Sequence, residues 1–227
     1  MIVLEDADPA QAASAAAFGS FMHQGQICMA AGRHIVHDAV YDEYVSTLAD
    51  KAKNLPVGDP VESSTAIGAI IDENQLSRIE AIVQDAVSAG AKVAAGGSSS
   101  GAYYSPTVLT DLAPDNRAWR EEIFGPVAPV IRFSDLEEAI ALAQDNEDGL
   151  SLGVLGDVSQ AMAIADRVTS GKVHINEQTV SDEAHAPFGG FKSSGNGTRI
   201  GGASTNLEAF TEIQWLTMRP EIAPYPF

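Results

Sequence analysis

The 227 residues are 45% hydrophobic, enough for a substantial core, and carry a formal net charge of -18 from 13 Lys and Arg against 31 Asp and Glu. So acidic a surface repels phosphate backbones and anionic lipid, which excludes nucleic-acid and membrane-surface roles and leaves small molecules and other protein subunits as partners. The single cysteine, Cys28, rules out an internal disulfide and a CxxC zinc pair and fits a reduced, cytoplasmic setting.

In chain order, Ile2-Val3-Leu4 is a short strand-like run. It runs into Glu5, Asp6 and Asp8 without the basic residues of a signal peptide. Asp8 is placed to cap, and Pro9 to begin, an alanine-rich helix reaching about Met22. Gly25 to Cys28 reads as a turn, and Arg33 to His37 as a strand. Asp38 is the expected cap of a helix over 39–53, with Val40, Tyr44, Leu48 and Ala52 on one face. The loop 55–60 and a short apolar run, Ile67 to Ile71, follow. Asp72 heads a helix through Leu76, Ile79, Ile82, Val83 and Ala86, which Gly90 stops.

Val93 to Ala95, Val108-Leu109 and Pro129 to Phe133 read as strands, with a Gly/Ser loop over 96–101. Ser134 and Glu137 form a capping-box pattern for a helix over 135–145. Leu150 to Leu155 is a strand, Asp157 and Gln160 open a helix to about Thr169, and Val173 to Asn176 is a strand again. Strands and helices alternate and several strands are continuously apolar. That pattern predicts an α/β fold with a mostly parallel sheet covered by helices on both faces. After Gly202 the pattern changes. Phe210 to Leu216 alternates apolar and polar residues, as in an antiparallel strand free to pair outside its own domain. The expected division is therefore an α/β domain over 1–203 and an oligomerisation strand and tail over 204–227.

Three segments could carry chemistry. Cys28 follows a helix through Gly25, which permits a tight turn with free backbone N–H groups able to polarise a carbonyl oxygen. A buried small hydrophobe is an equally good reading of a lone cysteine. Glu121 to Val127 sets a carboxylate beside an aromatic ring pinned by Gly125-Pro126, suited to sugar hydroxyls and a flat ring, though alone it reads as an acidic surface turn. Ala186 to Gly195 is a Gly- and Ser-rich loop whose default reading is a plain connection.

In this order and spacing the three segments resemble the aldehyde dehydrogenase superfamily over nearly the whole chain. Gly25-Gln26-Ile27-Cys28 resembles its catalytic-cysteine signature, and Glu122-Ile123-Phe124-Gly125-Pro126 its cofactor-ribose motif. Pro187-Phe188-Gly189-Gly190, Lys192 and Ser194-Gly195 resemble its late structural and substrate-pocket motif. The texture of His174 to Val180, Asp182 to Pro187 and Arg199 to Gly202 is similar to the branch acting on benzaldehyde, vanillin and related aromatic aldehydes.

The resemblance implies a role for each matching residue. Cys28 is the implied nucleophile toward the aldehyde carbon, with its own N–H at the oxyanion. Glu122 and Phe124 are implied at the nicotinamide-ribose end of NAD or NADP. Gln75 and Arg78 are implied on a helix facing the same ribose, against the competing reading of a solvated helix face. Met22, His185 and Phe188 are implied in the aldehyde pocket, against core packing for Met22 and Phe188 and a surface loop for His185. The family's dinucleotide-binding domain is absent from these residues. Absent with it are a Glu-Leu-Gly-Gly motif, whose Glu is the hydrolytic base, and an Asn of the oxyanion hole. The expectation is therefore a catalytic half that is inactive alone, partnered by its own copies or by a complementing dinucleotide-binding chain. A non-catalytic interaction protein that kept the fold is the alternative. A cysteine esterase would need a base beside Cys28, and His23 and His34 are near only in sequence.

Overall fold

The structure, a computed structural model, describes residues 1–62 and 64–227. Its strands are β1 (Ile2–Val3), β2 (His34–His37), β3 (Lys92–Ala95), β4 (Ser99–Ser100), β5 (Tyr103–Tyr104), β6 (Thr107–Thr110), β7 (Val127–Phe133), β8 (Asp148–Gly149), β9 (Ser151–Leu155), β10 (Lys172–Ile175) and β11 (Phe191–Lys192). The helices are α1 (Pro9–Phe21), α2 (Asp38–Asn54), α3 (Glu73–Ser88), α4 (Arg117–Arg120), α5 (Leu136–Gln144), α6 (Val158–Ala165) and α7 (Ala203–Phe210).

Seven strands form one sheet in the order β10-β9-β1-β2-β7-β6-β3. Every pairing in it is parallel except β3 with β6 at the edge, so the mostly parallel α/β architecture is as expected. Side chains alternate across the strands, as a pleated backbone requires. Ile2, Ile35, Ile131 and Val154 point to one face and pack against α3, α4, α5 and α6 through Ile79, Ile82, Trp119, Ile140 and Ile164. Val3, Val36, Val130 and Leu155 point to the other and pack on α1 and α2 through Ala13, Ala16, Phe21, Tyr44 and Leu48. Two cores thus share one sheet, each fully buried aliphatic or aromatic side chain contributing about 1.5–3 kcal/mol of transfer free energy. The small residues of α1 let it lie close on α2.

Helix starts follow local chemistry. Asp8 accepts from the backbone N–H of Ala10 and Gln11, Asp72 from Gln75 and Asp157 from Gln160, at 2.8–3.0 Å. Gly90 takes φ +105° just past α3. Two expected caps move by one residue. At α2 the cap is His37, whose Nδ1 accepts from Ala39 N–H at 3.2 Å, and Asp38 stands inside the first turn, where its charge favours the helix dipole. At α5 the cap is Asp135, accepting from Glu138 N–H. Glu138 in turn accepts from the N–H and hydroxyl of Ser134, so the reciprocal box is built from Asp135 and Glu138 rather than Ser134 and Glu137.

The tail has no sheet partner among the described residues of this chain, and the pairing expected of it lies outside the chain. The short helix α7, with no buried residue, covers 203–210, and residues 211–227 carry no strand. Ile213 and Trp215 are 98% and 92% exposed. Alternation supplies only half of a strand; the other half is an edge to pair with, and no sheet edge among the described residues takes this segment. Ile67 to Ile71 likewise forms only an isolated bridge, Val57 to Ile67. Among the described residues no helix is long and apolar enough to cross a membrane.

Candidate active site

The loop bearing Cys28 is stapled to the end of α1. Ala31 N–H donates to Gly19 O at 2.9 Å, and the Ser20 hydroxyl donates to Ala31 O at 2.9 Å. Between these staples His23, Gln24 and Gly25 all take positive φ, a left-handed turn that L-residues adopt at a cost. Gly25 has no alternative. A Cβ there would stand 2.1 Å from the carbonyl oxygen of Gly125 and 2.9 Å from that of Ser20. The two glycines therefore bring the Cys28 loop into backbone contact with the Glu122–Pro126 loop. The Gln26 side chain accepts from Ile71 N–H at 3.0 Å and ties the same loop to the segment before α3.

Cys28 is a free, exposed thiol. It lines a cleft of about 360 Å³ together with Glu122, Phe124, Gly125, Arg33, Arg120, Asp148, Ser170 and Ser194. The cleft lies at the amino ends of β2, β7, β9 and β10: its walls come from the residues just before each strand. That is the edge opposite to the carboxyl ends where open parallel sheets usually bind ligands.

Glu122 is exposed on the cleft wall. Loss of water around its carboxylate, then the charge of Asp148, pushes its pKa above the ordinary carboxylate value, while Arg78 pulls it back. Phe124, 37% exposed, holds φ +55°, an uncommon strain for an aromatic residue of the kind that gathers at functional sites. Gln75 and Arg78 do not line the cleft. Gln75 Nε2 donates to the carbonyls of Ile123 and Phe124 at 2.9 Å, and Arg78 donates to Ile123 O at 3.0 Å and pairs with Glu121 at 3.1 Å. They hold the Glu122 loop from behind. Met22 and Phe188, half-buried, and His185, exposed, also lie outside the lining of this cleft.

The late motif braces the cleft's rim. Lys192 Nζ donates to the carbonyls of Gln144 and Asn146 at 3.0 Å, and the Ser194 hydroxyl accepts from Gly149 N–H at 3.1 Å. Gly171 and Gly190 meet neighbouring backbone too closely for any side chain. Sequence reasoning missed two features of the site. Arg33 stacks over Trp119 at 5.0 Å and donates to Asp145 O, placing a second guanidinium beside Arg120 in the wall. Lys172 reaches the residue next to Cys28. Neither carries a local motif that would have singled it out.

Neither histidine named above offers Cys28 a base. His23 is exposed on the left-handed turn. His34 is fully buried: Nε2 lies 2.8 Å from the Ser20 hydroxyl and Nδ1 2.7 Å from that of Tyr44. Because Ser20 gives its proton to Ala31 O, it accepts from Nε2–H, and in the neutral ring that burial favours Nδ1 accepts from the Tyr44 hydroxyl. Burial, reinforced by the nearby N-terminal amine, holds the pKa down to about 3. A depressed histidine pKa gives stability that is full above the unfolded value of about 6.5 and is lost as pH falls, because the unfolded chain takes the proton first. Urea unfolding is expected to lose about 1.6 kcal/mol between pH 6.5 and 5. A flat stability over that interval would mean that His34 takes up its proton in the fold as readily as in the unfolded chain.

A model described as the aldehyde dehydrogenase family matches residues 1–216. The chain belongs to that family. A vanillin dehydrogenase of Amycolatopsis sp. is 56% identical over all of this chain and 47% of its own length. A benzaldehyde dehydrogenase (NAD+) of Pseudomonas putida is 47% identical over all of this chain and 46% of its own. A solved salicylaldehyde dehydrogenase from Pseudomonas putida G7, complexed with salicylaldehyde, superposes with a TM-score of 0.93 at 42% identity, covering all of this chain and 47% of that one. The chain thus spans about half the length of the family members it matches.

Proposed function

We propose that these residues form the catalytic-cysteine half of an NAD- or NADP-dependent aldehyde dehydrogenase that oxidises aromatic aldehydes to acids. One observation carries the reading: the exposed Cys28 thiol and the Glu122–Phe124 loop share one cleft, clamped together at Gly25 and Gly125. The Cys28 thiolate adds to the aldehyde carbon, and a thiohemiacetal forms on the sulfur. The N–H of Cys28 has no acceptor among the described residues and is free to hold the oxyanion. Loss of hydride leaves a thioester on Cys28, which water cleaves to the acid. The donor set fits a nicotinamide nucleotide: a carboxylate for ribose hydroxyls at Glu122 and a half-exposed ring at Phe124. When bound, that group supplies the hydride acceptor. The aromatic substrate class rests on likeness to the vanillin, benzaldehyde and salicylaldehyde dehydrogenases.

Residues 1–203 act as the catalytic domain, and 204–227 is the part that pairs with another subunit. The exposed Ile213, Trp215 and Leu216 support that role, since an alternating apolar segment gains most by joining a foreign sheet edge. A homo-oligomer, or a complex with a dinucleotide-binding chain, would supply that edge.

The 227 residues alone are expected to bind NAD with a Kd weaker than about 1 mM, a free energy of only some 4 kcal/mol, because one loop meets one ribose. Calorimetry on the isolated chain tests this, and micromolar binding would refute it. In a polypeptide that joins this chain to a dinucleotide-binding domain, Glu122→Gln is expected to raise the KM for the cofactor about tenfold by weakening charge-assisted ribose contacts. An unchanged cofactor KM would remove Glu122 from that role.

A further inference from the structure

Lys172 stands at the start of β10 and points its ammonium at the residue beside the nucleophile. Nζ lies 2.8 Å from Met29 Sδ and 2.7 Å from Ser181 O, and 5.3 Å from the centre of the Phe188 ring. Both hydrogen-bond partners are neutral, and a thioether is a weak acceptor. The side chain is half-buried. Burial lowers its pKa, while the charges of Asp182 and of the Cys28 thiolate raise it, so the ammonium and the sulfur feel each other. Neither Lys172 nor Phe188 lines the cleft that Cys28 shares with Glu122. The cation therefore stands close enough to the thiol to feel its charge but outside that cleft, next to an aromatic ring.

We propose that Lys172 determines charge specificity on the aldehyde side, favouring aromatic aldehydes that carry an ionised ring substituent, phenolate or carboxylate, over uncharged ones. The physical basis is the incomplete set of partners around a partly dehydrated ammonium. An anionic group arriving over Phe188 completes the set, and a neutral ring does not. The protein's net charge of -18 makes the local cation more telling, because the surrounding field by itself repels anions. The proposal rests on the reading of Cys28 as an accessible nucleophile, and the test separates the two.

The chain has one cysteine, so alkylation reports Cys28 alone. Iodoacetate and iodoacetamide both react with the thiolate. The ratio of their rates therefore cancels the thiolate fraction and reads only the charge met on approach. Lys172→Met is expected to lower the iodoacetate-to-iodoacetamide ratio about 3- to 10-fold, the effect of one charge several ångströms away in partly wet surroundings. Lys172→Arg is expected to keep the ratio near wild type and controls for loss of fold. In a polypeptide complete with the dinucleotide-binding domain, kcat/KM for 4-formylbenzoate relative to benzaldehyde is expected to fall by a similar factor in Lys172→Met. Brisk alkylation with a ratio indifferent to Lys172→Met would overturn the proposal and leave the nucleophile standing. Failure of both reagents to modify Cys28 would overturn both.

Discussion

Gly25→Ala is expected to destabilise the fold by about 3 kcal/mol or more and to pull the two halves of the candidate site apart. Two costs add. The residue sits at φ +65°, where a Cβ is strained by about 1–2 kcal/mol. The new methyl also meets the backbone oxygen of Gly125 at 2.1 Å, and backbone has no rotamer by which to yield. The loops must separate, breaking the contact that sets Cys28 beside Glu122. Partial relief would come from rotating the left-handed turn at His23 and Gln24, but the staples at Ala31 resist it. Urea unfolding reads the stability, and the rate of Cys28 alkylation reads the site. A wild-type midpoint in Gly25→Ala would show that the two loops are not clamped there.

Cys28→Ala, in a polypeptide joining this chain to a dinucleotide-binding domain, is expected to reduce aldehyde oxidation at least about 10⁴-fold. The other candidate nucleophiles of the lining are alcohols, far weaker than a thiolate, and the one of them that meets a carboxylate, Ser194 with Asp148 at 3.3 Å, also accepts from Gly149 N–H. Because Cys28 is exposed, the same change is expected to alter stability by no more than about 0.5 kcal/mol. This pairing of effects separates chemistry from folding. Mass spectrometry of the enzyme quenched during turnover should find an acyl adduct on Cys28 and none in the variant. Retention of more than a few per cent of the turnover in Cys28→Ala would end the nucleophile reading, and the interaction-protein alternative would then gain ground.

How much of this was legible beforehand differs with the range of the interaction. The caps at Asp8, Asp72 and Asp157 and the stop at Gly90 depend on groups within four residues, and all were readable. The misplaced caps at Asp38 and Ser134 erred by one residue, because neighbouring polar groups competed for the same backbone donors. Cys28, Glu122 and Phe124 were singled out through motif order, and the fold brings all three to one cleft lining. Arg33 and Lys172 were not, since what singles them out is contact with Asp145 and Met29, 112 and 143 residues away in the chain. Gln75 and Arg78, implied on a helix facing the ribose or else on a solvated helix face, hold the Glu122 loop, Gln75 through the carbonyls of Ile123 and Phe124 and Arg78 through that of Ile123.

By itself the sequence determined the alternation of strands and helices, the two apolar faces of the sheet and the presence of one thiol near a glycine that permits a tight turn. These follow from periodicity, capping and backbone sterics, whose energies are local. Only the tertiary structure decided that the cleft lies at the amino ends of β2, β7, β9 and β10 and that Gly25 abuts Gly125. Those outcomes depend on which distant backbones meet, and a hydrogen-bond edge or a van der Waals contact leaves no periodic trace in the residues that share it.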